Sequence, residues 1–131
     1  MTTLQADPTA ENPTATAIGS PLQVSKVDPA TAKAWLDRGE AVLIDVREPV
    51  EHQSESIAGA RLMPLGSLDD GALKELAAIA ASGRKLMVHC KMGGRSARAV
   101  QFLREKGFNA TNVAGGINAW SESIDPSVPQ Y

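Results

Sequence analysis

The sequence predicts an α/β domain built on a mainly parallel central sheet flanked by helices on both faces. Two runs, Ala41 to Val46 (AVLIDV), apolar with β-branched residues, and Lys85 to His89 (KLMVH), read as strands covered on both sides. Between and after them lie stretches with apolar residues at helical spacing, closed by glycines at 39, 83 and 107. The connections are short, and strand-helix alternation of this kind builds parallel sheets.

The elements follow in order. Leu22 to Val24 is a short strand candidate. Asp28-Pro29 starts a helix, because Asp accepts from free backbone N–H groups and Pro suits the first helical position. Ala32, Trp35 and Leu36 then share one face. After the strand over 41–46, Pro49 to Ser54 suits a short helix and Ala60 to Met63 a weak strand. A helix over Gly71 to Ala81 carries Leu73, Leu76, Ala77 and Ala80 at helical spacing. The strand over 85–89 leads to a helix from Ser96 to Lys106, with Ala99, Val100 and Leu103 inward. Thr111 to Ala114 is the last strand, and Gly116 to Glu122 begins the last helix.

Residues 21–131 read as one such domain of the 131. Residues 1–20, rich in Thr, Ala and Pro, contain few large apolar side chains and read as a flexible tail. Apolar residues make up 43% and charged residues 21%, enough for a core and against wholesale disorder. The net charge of −2 argues against a nucleic-acid partner, and no apolar run is long enough for a membrane helix. The single cysteine, Cys90, excludes a disulfide scaffold. The N-terminus lacks the basic and apolar regions of a signal peptide, so a cytoplasmic location is expected. A zinc site is disfavoured, because only His52 and His89 accompany the one cysteine, and no cofactor is expected.

Ligands of parallel sheets bind at the carboxyl ends of the strands. One such loop holds Arg47 and Glu48; the other opens with Cys90. In Cys90-Lys91-Met92-Gly93-Gly94-Arg95-Ser96 a strand ends, a glycine-containing loop turns and a helix begins. Glycines allow successive N–H groups to converge, and the helix aims its positive dipole end at the same point. Seven of the 13 basic residues lie between 84 and 106: Arg84, Lys85, Lys91, Arg95, Arg98, Arg104 and Lys106. These features suit an anion, and a thiol there is acidified and nucleophilic. The plain alternative is a small core residue at a strand end.

That loop resembles the active-site loop of single-domain rhodanese-type sulfurtransferases. Leu43 to Glu51 (LIDVREPVE) is similar to the family's DVREPxE signature, Ile57 to Leu65 (IAGARLMPL) to its IPGAxxIPL stretch, and Gly107-Phe108, Val113 to Ile117 and Ala119-Trp120 to its closing pattern. Glu55-Ser56 stand where the family often has Gly-His, Ala58 replaces its Pro, and Lys91 occupies a frequent Arg position. The resemblance implies transfer of a sulfane sulfur from thiosulfate or a similar small anionic donor to cyanide or a thiol, a protein thiol included. Cys90 would be the nucleophile and persulfide carrier. The backbone N–H groups from Lys91 through Met92, Gly93, Gly94 and Arg95 to Ser96 would cradle it, and Arg95 and Lys91 would bind the departing sulfite. Asp45, Arg47 and Glu51 read as structural, with Arg47 placed to pair with Glu51. Two other readings stand beside this one: a non-catalytic rhodanese-like binding module, and a cysteine phosphatase or arsenate reductase. The latter have five residues between Cys and Arg; here four, Lys91 to Gly94, intervene.

Overall fold

The computed structural model describes residues 26–128. The tail expected over 1–20 and the strand expected over Leu22 to Val24 lie outside the described residues. Five strands, β1 (Lys26–Val27), β2 (Ala41–Asp45), β3 (Arg61–Leu62), β4 (Lys85–His89) and β5 (Ala110–Val113), alternate with helices. These are α1 (Pro29–Asp37), α2 (Pro49–Ser54), α3 (Asp70–Ala81), α4 (Gly94–Glu105) and α5 (Gly116–Ser123). A short 3-10 turn over Leu65–Ser67, absent from the sequence reading, joins β3 to α3. No helix among the described residues is long and apolar enough to cross a membrane.

The sheet is all-parallel, in the order β1-β5-β4-β2-β3. Successive side chains of a strand point to opposite faces, so each central strand feeds two cores. Val42, Ile44, Leu86 and Val88 pack with Leu76 and Ile79 of α3 and with Ala99, Val100 and Leu103 of α4. Leu43 and Met87 point the other way, to Ala32, Trp35 and Leu36 of α1 and to Ile117 and Trp120 of α5. Helices therefore cover both faces, as the uninterrupted apolar strands require.

Local signals set the boundaries. Asp28 caps α1, accepting from Thr31 N–H at 3.4 Å, and Asp69 caps α3 through Ala72 N–H at 3.0 Å. The buried stripe of α3 differs from the expected one. Leu76 and Ile79 are buried and Leu73 packs beside them, whereas Ala77 and Ala80 are exposed. Rotating the helix to bury Ile79 removes more apolar surface from water than burying two methyl groups.

From β2 the chain proceeds to β3 on one side, and from β4 to β5 on the other. The carboxyl ends of β2 and β4 thus flank a topological switch point, where open parallel sheets form a crevice. The register sets Asp45 against His89 and Val88 against Asn112, which brings all three polar side chains to that edge.

The corrected face of α3 is testable by urea denaturation. Ile79→Ala should cost about 2–4 kcal/mol through the cavity it leaves. Ala80→Ser should change stability by no more than about 0.5 kcal/mol, as at other exposed positions.

Candidate active site

Cys90 is the first residue after β4, and its side chain is 1% exposed. The Gly93 N–H donates to Sγ at 3.1 Å, and the nearby backbone N–H groups of Met92 and Ser96 add to its effect in favouring the thiolate. Gly93 reaches this position with φ +123°, a conformation that other residues rarely adopt. The Ser96 hydroxyl lies 3.3 Å from Sγ. It is also 2.6 Å from Asn112 Oδ1 and 3.2 Å from the Gly93 carbonyl. A hydroxyl has one proton, so it cannot serve all three acceptors at once. The shortest contact assigns it to Asn112 while Cys90 is a thiol, and a thiolate draws it to sulfur. Burial pushes the Cys90 thiol up, but these donors together outweigh burial and hold it below its ordinary value.

The carbonyls of the same loop face outward. Cys90 O accepts from Ile117 N–H at 2.9 Å, and Lys91 O from Asn118 N–H at 3.2 Å. Gly93 O accepts from Ala97 N–H at 3.0 Å and from Asn112 Nδ2 at 3.4 Å. The amino end of α5 presses so closely on the loop that a Cβ on Gly116 would stand 2.5 Å from both the Cys90 and Lys91 carbonyl oxygens. The Gly115-Gly116 pair therefore belongs to the active-site architecture, although it follows Cys90 by some 25 positions.

Beneath the loop lies a buried charged cluster. Asp45 and Arg47 are both inaccessible to solvent. Arg47 donates to Asp45 through Nε (2.9 Å) and Nη2 (2.8 Å), and its backbone N–H adds a third bond at 3.0 Å. Arg47 Nη2 also reaches the Glu55 carbonyl at 2.6 Å, which ties down the loop where the sequence departs from the family pattern. His52 Nδ1 lies 2.8 Å from Asp45 Oδ2. Burial raises the Asp45 carboxyl, but the hydrogen bonds from Arg47 and His52 outweigh it and leave the group below its usual range. Asp45 thus contributes stability above the ordinary carboxylate range, which is lost as pH falls through its depressed value. His89 is also fully buried, and burial pushes its imidazole below its ordinary value against the pull of Asp45. Its Nδ1 donates to the Cys90 carbonyl at 3.1 Å, while Nε2 stands 3.9 Å from Asp45 without a hydrogen-bond partner.

The basic residues clustered in sequence are dispersed in space. Arg84 and Lys85 lie at the amino end of β4, and even Lys85 is five residues or roughly 16 Å of strand from Cys90. Lys85 sits over the Trp35 ring and Lys106 over Phe102, and Arg104 binds the Ala110 carbonyl at the far end of α4. Lys91, Arg95 and Arg98 remain at the site end of the cluster. Cys90, Met92, Gly94, Arg95 and Arg98 line one open cavity. Arg95 also carries a bidentate ion pair with Glu51 of α2, Nη1–Oε1 at 2.6 Å and Nη2–Oε2 at 2.9 Å. Sequence reasoning missed Glu51 as a member of the site because 44 residues separate the partners. Among the described residues no group of three His, Cys, Asp or Glu side chains could hold a metal ion.

Fold and site together define a parallel α/β domain that presents an acidified thiol within a strand-loop-helix turn at a sheet switch point. The rhodanese-like domain model matches residues 28–123, and the chain belongs to that family. It is 42% identical over 103 residues to the maize (Zea mays) adenylyltransferase and sulfurtransferase MOCS3-2, covering 76% of this chain and 21% of that protein. To the probable adenylyltransferase/sulfurtransferase MoeZ of Mycobacterium tuberculosis it is 37% identical over 109 residues, covering 82% of this chain and 27% of that one. The chain thus spans about a fifth to a quarter of the length of these relatives. Among solved structures, the human single-domain sulfurtransferase TSTD1 superposes with a TM-score of 0.65 at 30% identity, covering 80% of this chain and 98% of that one.

Two substitutions test the site's construction. Gly116→Ala should displace the Cys90 and Lys91 carbonyls and disorder the ring of donors; the pH midpoint of Cys90 alkylation by iodoacetamide should rise relative to the wild type. Asp45→Asn should leave Arg47 buried without a counter-charge and cost about 3–5 kcal/mol in urea denaturation.

Proposed function

We propose that this domain is a sulfurtransferase that carries a sulfane sulfur as a persulfide on Cys90. The observation that supports the reading most is the convergence of the Gly93 N–H and the Ser96 hydroxyl on one buried sulfur atom. Donors so placed stabilise a thiolate, and equally the terminal sulfur of a persulfide that extends from it. In the first step the Cys90 thiolate attacks the outer sulfur of the donor. With thiosulfate, the sulfur–sulfur bond breaks, sulfite leaves with the bonding pair, and a Cys90 persulfide anion remains. In the second step a thiophilic acceptor, cyanide or a thiolate, attacks the outer sulfur and restores the Cys90 thiolate. The two displacements need no external oxidant or reductant.

The loop length supports sulfur over phosphate. Four residues between Cys90 and Arg95 draw the N–H groups around a single atom, where one more residue suits a tetrahedral phosphate. The family relationship to sulfurtransferases points the same way.

Treating the protein with excess thiosulfate should add the mass of one sulfur atom to the peptide containing Cys90, and cyanide should remove it as thiocyanate. Cys90→Ser should abolish both steps while preserving the circular dichroism spectrum, because a serine hydroxyl is not ionised near neutral pH and forms no persulfide. Sulfur transfer retained by that variant, or hydrolysis of an aryl phosphate by the wild type in place of sulfur transfer, would overturn the reading.

A further inference from the structure

We propose that Glu51 determines donor specificity: by clasping Arg95 it balances the cation in the cavity wall that a sulfonate dianion would use, and so favours a persulfide borne on an organic thiol over thiosulfate. The inference rests on the sulfur-transfer reading above and names the donor class of the same site.

Four observations lead to it. Arg95 lines the cavity with Cys90, yet both of its terminal nitrogens are directed to the two oxygens of the Glu51 carboxylate. The pair is only partly accessible, with Arg95 30% and Glu51 19% exposed, so water screens it less than it would a surface pair. A dianion entering the cavity must compete with a bidentate carboxylate already in place, and it meets that carboxylate's charge as well. Glu51 is itself fixed: its Oε1 accepts the Glu48 N–H at 2.9 Å, locking the side chain to the first turn of α2. The fourth observation concerns the cavity rim. Met92 is 69% exposed and lines the same cavity. Its flexible thioether offers contact area to the organic part of a donor, which thiosulfate lacks.

The donor step is then a thiol exchange. The Cys90 thiolate attacks the outer sulfur of R–S–SH, the donor's sulfur–sulfur bond breaks, and R–S⁻ leaves with the bonding pair. The outer sulfur and its proton become the Cys90 persulfide, so charge and oxidation state balance across the step.

Glu51→Gln provides the test, because the amide oxygen still accepts the Glu48 N–H while the charge is removed. The readout is the ratio of kcat/KM for thiosulfate to kcat/KM for glutathione persulfide, whose carboxylates lie several bonds from the reacting sulfur. The ratio should rise about tenfold in the variant, the lower end of what one charge-assisted hydrogen bond contributes. If Glu51 merely braces the loop, both donors slow in proportion and the ratio stays constant, which overturns the proposal. A second variant, Arg98→Gln, changes an exposed cavity residue on α4. With Arg95 held by Glu51, thiosulfate relies on Arg98, so its kcat/KM should fall about tenfold and that of glutathione persulfide by less than about threefold; equal falls count against the proposal. Absence of Cys90 persulfide from either donor in the wild type would refute the sulfur-transfer reading itself, and this inference with it.

Discussion

A ring of N–H groups can close around one sulfur atom only if the carbonyls of the same peptides turn away and find partners elsewhere. That constraint organises the site. A buried carbonyl without a partner costs as much as a lost hydrogen bond, so the outward-facing oxygens of Cys90, Lys91 and Gly93 each need a donor from outside the ring. The amino end of α5 supplies two of them through Ile117 and Asn118, and α4 with Asn112 supplies the rest. Orphan N–H groups at helix starts are thereby satisfied by the loop, and the loop's carbonyls by the helix starts. The absence of a side chain at Gly116 is what allows the two backbones to approach closely enough.

The same edge of the sheet concentrates buried charge. Taking Asp45 and Arg47 out of water is costly, and their mutual attraction offsets that cost only because the geometry is bidentate and the remaining lone pairs of Asp45 are used by a backbone N–H and His52. The cluster anchors the β2–α2 turn, and through α2 it places Glu51 against Arg95. A structural pair beneath the sheet edge thus sets the position of a charged pair in the cavity wall. The electrostatics of the cavity follow from this arrangement rather than from the number of basic residues nearby in sequence.

Alternation of β-branched runs with amphipathic segments determined the parallel α/β architecture, because a strand that is apolar on both faces has no stable place outside a sheet covered twice. Strand-loop-helix context at Cys90, with its glycines, determined where the thiol would sit and why donors would converge on it. Both are local properties, carried by residues within a turn or two of one another. Tertiary structure alone decided which distant residues complete the site. Glu51 meets Arg95 because the switch point brings the β2 and β4 loops together, and Gly116 meets Cys90 because α5 returns across the sheet edge. It also dispersed the basic cluster, since a strand and a helix carry residues close in sequence to opposite ends of the domain. Spacing along the chain registers neither distance through space nor the pairing of charges, and these depend on register, crossover and helix rotation.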